Sequence, residues 1–72
     1  MEELLKAIQA GDEIEVSAIA NELFITHEGR VNYPQVNEFE KYAPCKIGPA
    51  ERDSFGWLIG YIKYNDRTYY FG

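Results

Sequence analysis

The chain has one cysteine, one histidine and only three prolines among its 72 residues. A single cysteine excludes an internal disulfide, and one Cys with one His is too few for a zinc site built from those residue types. Basic residues are also scarce: Lys and Arg number 7 against 12 Asp and Glu, giving a formal net charge of -5. A dedicated nucleic-acid binder needs a basic footprint, which this balance does not supply. No apolar run approaches the roughly 18 residues of a membrane span. The start, Met1-Glu2-Glu3, lacks the positive flank and small-residue cleavage site of a secretory signal. These absences lead to the expectation of a complete small gene product, a single domain over residues 1–72, in the cytoplasm. A lone Cys45 suits a reducing compartment.

What is present is a folding sequence, 46% hydrophobic and 15% aromatic, unlike a disordered polypeptide. A domain this small buries only about 60% of its unfolded surface. Without a disulfide or metal it must pack well alone or gain area by association, so a homo-oligomer or a tight partner is expected.

Leu4, Leu5 and Ile8 share one face of a helix over Glu2–Ala10, with Glu2 and Glu3 at its positive end and Gly11 as its stop. Ile14, Val16, Ala18 and Ala20 alternate, which favours a strand from Glu13 to Ala20, although Ile19 and Leu23 also have helical spacing. Leu23–Tyr33 reads as a hairpin turning at Glu28-Gly29, with Thr26 facing Val31 and Phe24 facing Tyr33. Val36, Phe39 and Tyr42 recur every three residues after Pro34, as in a short helix. Ala43–Ser54, with Pro44, Gly48 and Pro49, lacks periodicity and reads as a long loop.

The last eighteen residues are the clearest. Phe55–Tyr64 and Thr68–Phe71 form a hairpin around Asn65-Asp66. Pairing outward sets Tyr64 opposite Arg67, Ile62 opposite Tyr69, Tyr61 opposite Tyr70 and Gly60 opposite Phe71, whose ring can cover the bare glycine. Both faces carry large apolar groups, so the hairpin is central, covered by a helix, or part of an interface. The fold expected is α+β: a short N-terminal helix packed on a small antiparallel sheet of four or five strands, ending in a C-terminal aromatic hairpin.

The segment Val16-Ser17-Ala18-Ile19-Ala20-Asn21-Glu22-Leu23-Phe24-Ile25-Thr26 resembles the first helix and turn of a bacterial helix-turn-helix. The resemblance implies a DNA-binding recognition helix after the turn. It covers about eleven residues and departs at Phe24, where that family has a small residue or Gly. The following helix would contain Gly29 and end near Pro34, both poor helix residues. The segment is also negatively charged, where phosphate contact needs Lys and Arg.

Catalytic groups do not assemble into a recognisable set. Cys45, His27 and Asp53 could be imagined as nucleophile, base and orienter, but no family signature surrounds Cys45, which reads as a small hydrophobe. His27 is expected beside a turn, in solvent. Asp12, Glu13 and Glu15 cluster without calcium-loop spacing. Gly56 and Gly60 bracket a strand rather than open a helix, so no phosphate loop follows. No enzyme, cofactor or metal site is expected.

Charge is uneven: residues 1–40 carry nine acids and two bases, residues 41–72 five bases and three acids. Small acidic faces can engage a basic cleft in a partner. The aromatic set Phe55, Trp57, Tyr61, Tyr64, Tyr69, Tyr70 and Phe71 exceeds what so small a core can hold, and surface Tyr and Trp favour interfaces. The function expected is therefore a non-enzymatic inhibitor of the style phages and mobile elements use against host proteins, including bacterial defence proteins. It would occlude a basic site, with Glu13, Glu15 and Glu28 for attraction and Tyr61 and Tyr70 as anchors. The alternative is a homo-oligomer that captures a small anionic or nucleotide ligand through Trp57, Tyr61, Lys63, Arg67 and Tyr70.

Overall fold

The computed structural model describes residues 1–72, the side chains of residues 49 and 50 excepted. Three helices precede a three-stranded sheet: α1 Glu2–Ala10, α2 Glu13–Phe24, α3 Tyr33–Tyr42, β1 Lys46–Arg52, β2 Leu58–Tyr64 and β3 Arg67–Phe71. The strands are antiparallel in the order β1-β2-β3. The class is α+β. Among the described residues, no helix is long and apolar enough to cross a membrane.

The N-terminal helix runs over the residues expected and stops at Gly11, which takes the left-handed conformation at φ 76°. The segment after it corrects the sequence reading. Residues 13–20 are not a strand but the first two turns of α2. The Asp12 side chain accepts the Glu15 amide at 3.1 Å, a helix N-cap, and Val16, Ala20 and Phe24 are buried at helical spacing. The alternating Ile14 and Ala18 point to solvent instead.

With Phe24 in a helix, the expected Leu23–Tyr33 hairpin shrinks to one bridge, Ile25 with Val31, around a turn at residues 27–29. Phe24 and Tyr33 therefore do not pair as cross-strand rings: Phe24 is buried and Tyr33 begins α3 as an exposed residue. Eight residues separate α2 from α3, longer than the three- or four-residue turn of a helix-turn-helix. The expected loop at residues 43–54 is mostly β1, whose pairing with β2 shifts register between Gly48 and Glu51. The shift and Gly48 hide its strand periodicity. The sheet has three strands, not four or five: residues 13–24 are helical, the 23–33 hairpin is reduced to its one bridge, and β1 is gained from the expected loop.

The C-terminal hairpin keeps the expected register at every pair. Its inward residues, Ile62, Tyr69 and Phe71, meet the helices. Phe24 joins the layers, its ring centroid 5.8 Å from Phe39 on α3 and 5.5 Å from Phe71 on β3. The Tyr69 hydroxyl donates to the Ile8 carbonyl at 2.9 Å, which ties β3 to α1. A Cβ placed on Gly60 would lie 2.5 Å from the Phe71 ring, so the ring does cover that glycine.

Side chains from the helices also reach both ends of the sheet. Glu40 accepts the Ile47 amide at 3.0 Å beside β1, and Asn21 accepts the Gly72 amide at 2.6 Å beyond β3. All three helices lie on one side of the sheet. Among the described residues no helix covers the other side, where Lys46, Ile59, Lys63, Thr68 and Tyr70 are exposed.

Candidate functional site

The uncovered face is built by strand alternation. Buried Gly60 and Ile62 fix the inward set of β2, so Ile59, Tyr61 and Lys63 point outward. Cross-strand register then places Lys46, Gly48 and Glu51 of β1 abreast of Lys63, Tyr61 and Ile59. On β3, Thr68 and Tyr70 stand abreast of Lys63 and Tyr61. Ile59 is 46% exposed and Tyr70 64%. Tyr61 is half-buried because its ring lies on Gly48, where any Cβ would overlap it. The Lys63 ammonium sits 5.6 Å from the Tyr61 ring centroid, within cation–π range.

At one end of this face the β1–β2 connection projects as a tip. Asp53 organises it. One carboxylate oxygen accepts the Phe55 and Trp57 amides, both at 2.9 Å, and the Asp53 amide donates to the Trp57 carbonyl at 2.9 Å. Gly56 turns the chain at φ 85°, and its carbonyl accepts the Arg52 guanidinium at 2.9 Å. The short polar side chain thus satisfies the turn's amides from within, the usual role of Asp at such positions. The result is an ordered loop that presents Phe55 at 85% exposure and Trp57 at 69%.

The residues singled out from the sequence divide unevenly. Trp57, Tyr61, Lys63 and Tyr70 stand on or at the end of the outer face. Arg67 points to the other side, against Gly11, Glu13 and Tyr69. The Tyr69 hydroxyl, then Asp66 and Glu13, raise its guanidinium further above the usual arginine value. Glu13 therefore lies beside β3, one helical turn from Ser17, which lines a cleft of ≈ 280 Å³ with Ile59, Tyr70 and Phe71. Glu15 is exposed in the first turn of α2. Glu28 lies four residues beyond the other end of that helix, which is about 18 Å long. It borders a shallow concavity of ≈ 680 Å³ with His27, Glu22 and Asn32. The three glutamates do not form one patch with the two tyrosines.

The imagined catalytic set is also dispersed. Cys45 is buried before β1, and burial pushes its thiol up. Asp53 lies eight residues on, about 26 Å along extended chain, with its carboxylate engaged in the turn. Asp12 serves as a helix cap. Among the described residues no group of three His, Cys, Asp or Glu could hold a metal ion.

Sequence reasoning overlooked Ile59, Lys46 and Glu51 as surface residues, and counted Phe55 among the surplus rings without assigning it to a site. The period-two set Trp57, Ile59, Tyr61 and Lys63 carried the signal for Ile59. Lys46 and Glu51 needed β1 to be recognised as a strand. No family model, curated protein or solved structure is significantly similar to this chain.

Proposed function

We propose that the protein is a non-enzymatic binding protein that occludes a site on a larger protein by inserting its aromatic tip. The single observation that supports this is the internally hydrogen-bonded Asp53–Trp57 turn holding two large rings in solvent. Exposing Phe55 and Trp57 forgoes several kcal/mol of burial, about 1.5–3 kcal/mol for a ring of phenylalanine size. A preorganised aromatic loop recovers that free energy on docking and loses little entropy in doing so. Every residue from Glu51 to Trp57 is exposed, which leaves the tip free to enter a cleft. The acidic helical half supplies long-range attraction toward a basic site, and such steering does not require the carboxylates to be contiguous.

Affinity capture with the wild-type chain tests the reading against Phe55→Ser with Trp57→Ser and against Lys6→Ala on α1. A partner retained by Lys6→Ala and lost by the tip variant is expected. A partner held equally by all three chains would sink it.

A second reading has its own observation: three of the five ligand residues expected from the sequence, Tyr61, Lys63 and Tyr70, share one face, with Trp57 in the turn at its end. A nucleotide could stack there with its phosphate toward Lys63 and Lys46. Trp57 is the only tryptophan, so its fluorescence reports the end of that face. Saturable quenching by nucleotides, weakened by Lys63→Glu, would favour this reading; an unchanged spectrum would remove it.

A further inference from the structure

We infer that a second copy of this chain covers the outer face of the sheet, the two sheets packing face to face about a twofold axis at Tyr61. The face is polar at its ends and apolar between them. Lys46 and Lys63 stand abreast at one end and Glu51 stands abreast of Ile59 at the other, with Tyr61 and Tyr70 between. Lys63 and Ile59 are each two residues from Tyr61, about 7 Å along the strand in opposite directions.

That spacing makes the face complementary to itself. A twofold axis lying between the sheets and perpendicular to the strands reverses the strand direction and keeps β1 over β1. It sets Glu51 of each copy over Lys46 of the other, with Lys63 alongside. Ile59 meets the aliphatic stem of the other copy's Lys63, and each Tyr61 and Tyr70 meets its own counterpart. The alternative axis, parallel to the strands, would set β1 over β3 and leave Lys46 facing Thr68. An isologous contact of this kind closes on itself, so association stops at two. The sheet layers would sit about 10 Å apart, as in aligned sheet packing.

The patch is small. Three strands spaced about 4.8 Å, five residues long, cover about 14 by 17 Å. That is below the roughly 800 Å² per partner of a standard interface, so the dimer dissociates in the micromolar range or above. Phe55 extends past the end of the contact and stays free, so a dimer carries two tips pointing apart.

Sedimentation velocity between about 1 μM and about 1 mM spans the range such an interface requires. The mass should rise with concentration from 8.3 kDa toward twice that value. Ile59→Glu and Tyr70→Glu should each hold it at the monomer value, with unchanged circular dichroism because both side chains are exposed. Lys46→Glu or Glu51→Lys alone should raise Kd at least about tenfold, since each sets like charges face to face. The two exchanges together should bring it back to within about threefold. Phe55→Ser should leave the dimer intact, which separates this contact from the role of the tip. A constant monomer mass at the highest concentration would overturn the inference. So would association indifferent to Ile59→Glu and Tyr70→Glu, or no recovery in the double exchange.

Discussion

Gly60 and Phe71 show how one residue's absence of a side chain sets another's position. A Cβ at Gly60 would collide with the Phe71 ring, and that ring is itself packed on Phe24, so it has nowhere to retreat. Gly60→Val should lower stability by about 1–3 kcal/mol, the cost of overpacking, and thermal melts should show it. Gly48 is a milder case, because the overlying Tyr61 ring faces solvent and can swing away. Cys45 gives a pH-dependent expectation. Burial favours its neutral thiol, so its folded pKa lies above the unfolded one. The stability it contributes is complete below the ordinary thiol pKa and falls as pH rises through the raised value. Chemical denaturation between pH 8 and pH 10 should therefore show the wild type losing stability relative to Cys45→Ala. The Gly60–Phe71 contact was legible from pairing alone, whereas the burial of Cys45 was not, since it depends on where β1 lies.

Capping chemistry decides the element that sequence periodicity misassigned. Ile14, Val16, Ala18 and Ala20 alternate as in a strand, yet Asp12 caps the Glu15 amide, and Val16, Ala20 and Phe24 are the residues the core takes. The helical spacing and the strand alternation share Val16 and Ala20, so the apolar pattern alone could not separate them; the cap and the next element had to. Asp12→Ala should cost about 1 kcal/mol of stability, readable as a lowered denaturation midpoint with an unchanged slope. The terminal hairpin was legible because its turn residues, its glycine and its ring partners all agree on one register. β1 was not, because Gly48 and the register shift interrupt its alternation. In the β1–β2 connection, Asp53→Ala should leave stability nearly unchanged and weaken partner binding at least about tenfold, since it removes the acceptor for two amides that order Phe55 and Trp57.

Over the whole molecule, negative charge is concentrated in the helical half. The helices carry most of the acidic residues, and the sheet's outer face and tip carry three of the exposed rings, Phe55, Trp57 and Tyr70, with Lys46 and Lys63, while Tyr33 and Tyr42 are exposed on α3. The candidate site was half legible: the sequence showed that the hairpin rings exceed the core, but not that the three glutamates fail to form one patch with them. That division assigns separate kinetic roles. Glu15→Lys with Glu28→Lys should slow association and flatten its salt dependence while leaving dissociation nearly unchanged. Tip substitutions should act mainly on dissociation. The recognition surface itself is best located by a photo-crosslinking amino acid placed in living cells at Phe55, at Tyr70 or at Gln9 on the helical side. Adducts with a larger protein at Phe55, absent at Gln9, are the expected pattern, with Tyr70 yielding the dimer of the chain. Adducts at Gln9 and none at Phe55 would contradict it.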